Sequence, residues 1–193
     1  MSAMMLGGSR KISQLPPPVV EFLAEMMEKR YWFLVGDAPG ADSFFQKVLH
    51  SAGYPRVVVF TSVGQARANA GQWEERYIDS GLKSQSAAKH TVKDRIMVSK
   101  ADEGLMVWDG SSPGTLANVI DLFEAEKSSR IWTPDDDLLW TVDSPSHLEG
   151  LRCRFPEAAS EAQKRLATYR RRISKSLPVA QSGLFDDEGL ASA

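Results

Sequence analysis

The sequence predicts an α/β fold in which helices cover both faces of a mainly parallel sheet, and two patterns predict it. Short apolar runs that are typical of strands alternate with segments in which apolar residues recur at helical spacing. Three of these runs end in loops that contain glycine. The alternating order favours a three-layer, Rossmann-like sandwich, in which loops after parallel strands meet at one edge of the sheet.

The elements are predicted in order from local patterns. Strands are predicted over residues 4–6, 31–35, 56–61, 103–108 and 130–133. A first helix is predicted to begin at prolines 16–18, and a second helix, with apolar residues from 41 to 48, is predicted to end before Gly53. Further helices are predicted over residues 86–100, 115–127 and much of 155–173. Two stretches are predicted to be loops: residues 63–85, with one helical turn around 73–77, and the proline- and serine-rich residues 143–147.

The length of 193 residues suits one α/β domain with a short appendage. We predict a Rossmann-like domain over residues 1–133 and a C-terminal extension with a basic helix over residues 134–176. Residues 177–193 are small and polar, and we expect them to be a flexible, disordered tail.

Composition excludes several classes of protein. A net charge of −2 argues against a surface that binds nucleic acid throughout. Cys153 is the only cysteine, and the three histidines lack metal-ligand spacing, so no metal site is expected. No apolar run reaches the roughly 20 residues of a membrane span, and the N-terminus lacks the layout of a signal peptide. A cytoplasmic location without membrane contact is expected.

The most informative segment is the turn after the predicted strand 103–108. Gly110 and Gly114 let a ligand approach the backbone, while Ser111, Ser112 and Thr115 offer hydroxyl groups. A helix begins directly after this turn, and its N-terminus suits an anion such as phosphate. The alternative is a tight strand-to-helix turn in which Thr115 caps the helix.

Two companion loops follow the first and second predicted strands. In the first, Arg10 is a candidate donor to a phosphate or carboxylate, or else a plain surface arginine. In the second, Asp37 could accept a hydrogen bond from a ribose hydroxyl, and Asp42 could cap the following helix. Lys93 and Asp94, just before the fourth strand, either face the same crevice or belong to a solvated helix face.

The motifs of these loops resemble the SLOG superfamily. They are GGSR after the first strand, VGDAPGAD with a trailing Gln46, and then KDRIMV, AD, VWDG and GT in order. The resemblance covers about residues 4–132 and is nearest to the YspA/YpsA-like branch. The superfamily also includes the LOG-type nucleotide phosphoribohydrolases and the DprA/Smf DNA-processing proteins.

The resemblance implies a Rossmann-like sheet that binds or senses a nucleotide or a nucleotide-derived ligand, in a bacterial or phage protein. No further cofactor is required. Together with the residues singled out above, the family motifs and their surroundings provide these ligand-binding candidates: Gly8, Ser9, Arg10, Gly36, Asp37, Gly40, Asp42, Lys93, Asp109, Gly110, Ser111, Ser112, Gly114, Thr115 and Asn118.

Three motif positions depart from the family pattern. The branch usually has an Arg-Asn pair where this chain has Lys93 and Asp94. LOG-type hydrolases carry a glutamate where this chain has Asn118, and an amide can act neither as nucleophile nor as base. Binding without turnover is therefore favoured. The alternative is an N-glycosidase or glycosyl transferase that uses Asp94 or Asp109 instead.

The C-terminal segment suggests a third function, that of an interaction protein. Gln181, Leu184 and Phe185 form a Q-x-x-L-F pattern that resembles the peptide bacterial proteins dock on the DNA polymerase sliding clamp. The helix before it has a basic outer face, which includes Arg165 and Arg170 and could touch DNA phosphates. The alternatives are an apolar pair that docks back onto the domain and a solvated helix face. Self-association into a homo-oligomer is also compatible with the sequence.

Overall fold

The computed structural model describes residues 1–80 and 87–173. The strands are β1 Ala3–Gly8, β2 Trp32–Gly36, β3 Val57–Thr61, β4 Glu74–Tyr77, β5 Glu103–Val107, β6 Ser129–Trp132 and β7 Leu139–Val142. The helices are α1 Pro17–Glu28, α2 Ala41–Ser51, α3 Ala87–Lys100, α4 Pro113–Glu124, α5 Pro145–Arg154 and α6 Pro156–Ile173.

In the described part of the chain, the strands form one sheet in the order β4-β3-β2-β1-β5-β6-β7. Every neighbouring pair is parallel except β6 and β7, which are antiparallel. The carboxyl ends of β2, β1 and β5 therefore lie side by side at one edge. The order reverses direction at β1, and such a switch point opens a crevice above the strand ends.

Helices pack on both faces of the sheet because the strand residues alternate between two apolar clusters. Met4 and Leu6 of β1 face α1 and α2, whereas Met5, between them, faces the layer of α3 to α6. Both faces are buried, as a parallel sheet requires. The predicted three-layer, Rossmann-like α/β sandwich with a mainly parallel sheet is confirmed.

Two predicted loops contain regular structure, so those predictions are wrong. Residues 74–77 pair with β3 as a parallel edge strand instead of forming a helical turn. Residues 143–147 include the start of α5, where the Ser144 hydroxyl accepts a hydrogen bond from the backbone N–H of His147. β4 is a four-residue, exposed edge strand without a clear apolar period, and α5 is a ten-residue helix whose buried residues are Leu148 and Leu151.

The segment after residue 133 continues the sheet and the core of the preceding residues. β7 extends the sheet, and Leu148, Leu151, Ala162 and Leu166 are buried in the same cluster as Trp108. Among residues 1–80 and 87–173, no helix combines the length and apolar character that crossing a bilayer needs. The predicted tail, with Gln181, Leu184 and Phe185, lies outside the described residues.

Candidate functional site

A cavity of about 540 Å³ opens at the carboxyl ends of β1, β2 and β5. The three predicted loops converge there, because these strands are neighbours in the sheet. Predicted site residues that line the cavity are Gly8, Arg10, Gly36, Asp42, Lys93, Asp94, Asp109, Ser111, Ser112, Gly114, Thr115 and Asn118. Ser9, Asp37, Gly40 and Gly110 do not line it and have structural contacts instead.

Gly8 and Ser9 join the first loop to the third. A Cβ atom on Gly8 would lie 2.2 Å from the carbonyl oxygen of Val107, so only glycine fits between β1 and β5 here. The buried Ser9 Oγ donates a hydrogen bond to Asp109 Oδ1 at 2.9 Å and lies 3.4 Å from Thr115 Oγ1. Ser9 thus binds the neighbouring loop and is not exposed to the cavity.

Asp109 organises the turn between β5 and α4. Its Oδ1 accepts hydrogen bonds from the backbone N–H groups of Ser111 at 3.0 Å and Ser112 at 2.8 Å. Burial opposes ionisation of this carboxyl, but these bonds and the one from Ser9 outweigh it and lower its pKa. Gly110 has a φ of +74°, and a Cβ atom there would lie 3.0 Å from the Phe155 ring.

The first turn of α4 faces the cavity next to a cation from α6. Ser112 is the residue before the helix, so the alternative role of Thr115 as the cap is wrong: Thr115 lies inside the first turn and is buried. A Cβ atom on Gly114 would lie 2.6 Å from Nη1 of Arg165. The Arg165 guanidinium therefore covers the helix N-terminus, where glycine leaves room for it.

Asp37 is fully buried beneath the second loop. Its Oδ2 accepts hydrogen bonds from Thr61 Oγ1 at 3.0 Å and from the Arg67 backbone N–H at 3.2 Å. Arg67 also donates through Nε to Oδ2 at 3.0 Å and through Nη2 to Oδ1 at 2.8 Å. Burial opposes ionisation, but Arg67 and Thr61 overcome it and lower the pKa of Asp37 to about 2. The carboxylate is engaged with protein donors.

Charged side chains also lie at the floor of the cavity. Lys93 is buried, and its Nζ lies 3.0 Å from Asp94 Oδ1. Burial disfavours the Lys93 ammonium, but Asp94 and Asp42 more than compensate, so its pKa is raised. Burial also raises the pKa of Asp42 to about 6, although Lys93 acts in the opposite direction.

Asp42 does not cap α2, which begins at Ala41. The residue before the helix is Gly40, with a φ of +85°, and Asp42 lies in the first turn. Its Oδ2 accepts the backbone N–H of Ala38 at 3.2 Å. A Cβ atom on Gly36 would lie 2.2 Å from Asp42 Oδ2 and 2.7 Å from Lys93 Nζ, so glycine makes room for both charged groups.

Among the lining residues that sequence reasoning missed, four have basic side chains: Lys11, Arg67, His90 and Arg165. Arg67 lies in the long segment predicted to be a loop, where no single residue was chosen as a site candidate. Arg165 was predicted to lie on the basic outer face of the C-terminal helix. This prediction is wrong, because Arg165 lines the cavity beside Gly114. Elsewhere on that face, Arg170 contacts Glu124 and Lys164 contacts Glu161. The described residues contain no group of His, Cys, Asp or Glu that could hold a metal ion.

No protein-family model matches the chain, and a search of curated proteins finds no match. The resemblance to the SLOG superfamily therefore stays a prediction. Among solved structures, the chain is similar to DNA processing protein A from Helicobacter pylori, which was described for its binding of single-stranded DNA. The two are 13% identical with a TM-score of 0.47, and the match covers 67% of this chain and 64% of that protein. This likeness concerns the fold and says nothing about the ligand of this chain.

Proposed function

We propose that the chain binds a nucleotide-type ligand in the cavity at the carboxyl ends of β1, β2 and β5. The observation that carries this proposal is the convergence of three glycine-containing loops with Arg10 and Arg165 around one cavity. Neither arginine has an ion-pair partner in the described parts of the chain. Two uncompensated guanidinium groups beside exposed backbone favour an anionic ligand.

The phosphate of the ligand is placed against the first turn of α4. Pro113 has no N–H group, and those of Ser111 and Ser112 donate to Asp109. The N–H groups of Gly114 and Thr115 lack acceptors within the helix, because they belong to its first turn. They and the Arg165 guanidinium provide charge and donors for one phosphate.

Substitution of Gly114 tests this placement. Gly114→Asp puts a carboxylate beside Arg165, where the phosphate would lie, and we expect nucleotide affinity to fall at least tenfold. Isothermal titration calorimetry with a panel of nucleotides, combined with thermal unfolding, measures binding and folding separately. Gly150→Asp adds the same charge on α5, where a Cβ atom meets no other atom within 4 Å, and is the matched control. Unchanged affinity in Gly114→Asp would contradict the placement.

A second candidate function is cleavage of an N-glycosidic bond. The position of Asp94 favours this function, and it makes Asp94 a better candidate than Asp109 for the carboxylate that acts on the sugar. Asp94 lines the cavity, whereas Asp109 Oδ1 is engaged by three donors of its own loop and of Ser9. A carboxylate at the cavity could stabilise a developing sugar cation. Chromatography of nucleoside monophosphates after incubation with the protein measures release of the base. If the protein releases the base and Asp94→Asn abolishes this release, the enzymatic function is supported. If the wild-type protein releases no base, only the binding function stands.

A further inference from the structure

Arg67 enters the cavity from the segment between β3 and β4, and a buried carboxylate holds it there. Three of its N–H groups, two on the side chain and one on the backbone, donate to Asp37, whose side chain has no exposed surface. A carboxylate that engages two nitrogens of a guanidinium fixes its plane and direction. The Arg67 guanidinium is therefore oriented before any ligand arrives.

Within residues 1–80 and 87–173, the remaining side of this guanidinium is available to a ligand. The Arg67 side chain is 37% exposed and lines the cavity. In the described residues, its Nη1 makes no hydrogen bond to protein.

Arg67 and Arg165 reach the cavity from different elements, the segment between β3 and β4 and the helix α6. Arg67 is held by Asp37, which directly follows β2 and also accepts a hydrogen bond from Thr61 of β3, whereas Arg165 covers the turn that follows β5. β1 separates β2 from β5, so the strand ends next to Asp37 and before this turn are two strand spacings apart, or roughly 10 Å. This separation of their anchoring points favours two anionic groups over one shared phosphate.

We propose that Arg67 binds a second anionic group, so that the ligand is a nucleotide with two phosphates on opposite sides of its sugar. This inference rests on the proposed nucleotide site. A 3′,5′-bisphosphate, or two nucleotides joined by a 3′,5′ linkage, has phosphates that are separated by the sugar. A 5′-diphosphate does not, because one bridging oxygen joins its two phosphorus atoms. In this arrangement Asp37 is a positioning residue that acts through Arg67.

Calorimetric titration of the full chain with three probes tests the proposal: adenosine 5′-monophosphate, adenosine 5′-diphosphate and adenosine 3′,5′-bisphosphate, together with the guanosine equivalents. We expect the bisphosphate to bind about tenfold more tightly than the monophosphate, the gain typical of one added charge-assisted contact. Arg67→Gln should remove most of this preference and change monophosphate affinity less than threefold. Arg67→Lys keeps the charge without the bidentate geometry and should give an intermediate preference.

The matched control is Arg76→Gln, which removes an exposed arginine from β4, in the same part of the chain, away from the cavity. It should leave both affinities unchanged. Equal weakening of both ligands by Arg67→Gln, with a lowered melting temperature, would show a merely structural role and overturn the proposal. The proposal would also be overturned if the bisphosphate bound no more tightly than the monophosphate or the diphosphate. In that case the proposed nucleotide site itself would still be supported. If no probe binds, the proposed function fails, and this inference fails with it.

Discussion

At the scale of single residues, three aspartates near the cavity show how local donors decide the state of a buried carboxyl. Asp37 has donors from Thr61 and Arg67, and its pKa falls to about 2 despite its burial. Asp109 has backbone donors, and its pKa also falls. Asp42 accepts one backbone N–H at 3.2 Å, too little to offset its burial, and its pKa rises to about 6. The first two stabilise the fold as anions, whereas the third is costly to ionise.

Because the pKa of Asp42 is raised in the folded chain, its contribution to the free energy of unfolding should fall as pH rises. Between the unfolded value near 3.8 and the folded value of about 6, the folded chain binds more protons than the unfolded chain, so each rise in pH favours unfolding. Asp42→Asn removes this titration. Urea unfolding at several pH values from 4 to 7 should therefore show that the free energy of unfolding declines less steeply with pH in the variant than in wild type. Burial also raises the pKa of Asp121 to about 6, so some decline should remain. An identical pH dependence in wild type and Asp42→Asn would contradict the assignment.

At the scale of elements, the strand-to-helix turns depend on close packing that only glycine allows. Gly8 touches the backbone of β5, Gly40 meets the backbone of Arg10, and Gly36 lies against Asp42 and Lys93. These contacts bring β1, α2 and the cavity floor together. The glycines therefore shape the site through packing, and the cavity surface itself is formed by the charged groups around them.

Gly36→Ala should disturb the cavity floor. The added methyl group would lie 2.2 Å from Asp42 Oδ2, so the buried charges must move, and we expect a loss of about 1–3 kcal/mol in the free energy of unfolding together with weaker nucleotide binding. Urea unfolding and calorimetry measure the two effects. Gly64→Ala is the control, because a Cβ atom there meets no atom within 4 Å, and its stability should stay within about 0.5 kcal/mol of wild type. A Gly36→Ala protein as stable as Gly64→Ala would show that the floor adapts freely.

At the scale of the whole molecule, α6 links the core to the cavity. Leu166 is buried in the cluster beneath α4, and the adjacent Arg165 covers Gly114 in the cavity. Where α5 meets α6, Phe155 packs edge-on against Trp108 at 4.6 Å between ring centres and covers Gly110. The C-terminal segment thus completes both the apolar core and the wall of the candidate site.

Truncation of Leu166 measures how strongly α6 is held. Leu166→Ala leaves a cavity in the core, and we expect the free energy of unfolding to fall by about 3 kcal/mol. Leu138→Ala removes the same atoms from a side chain that is 64% exposed and should change stability by less than about 0.5 kcal/mol. Chemical denaturation of both variants provides the comparison. Similar stabilities for the two would mean that α6 contributes little to the core.

Short-range patterns in the sequence predict most of this fold. The predicted strands at residues 4–6, 31–35 and 56–61 match β1 to β3 to within two residues at each end. The same patterns missed β4 and β7, because a four-residue edge strand is defined by the neighbour that it pairs with. Most of the predicted site residues meet at one cavity, since loops that follow neighbouring parallel strands share an edge of the sheet.

By itself, the sequence determined the three-layer α/β fold and the edge of the sheet where the glycine-containing loops meet, because periodicity and turn residues are local properties of the chain. The tertiary structure alone decided which charged groups enter the cavity. Arg67 depends on Asp37, 30 residues earlier in the chain, and Arg165 reaches Gly114 from another helix. Such contacts arise from the packing of distant segments, which no local pattern encodes.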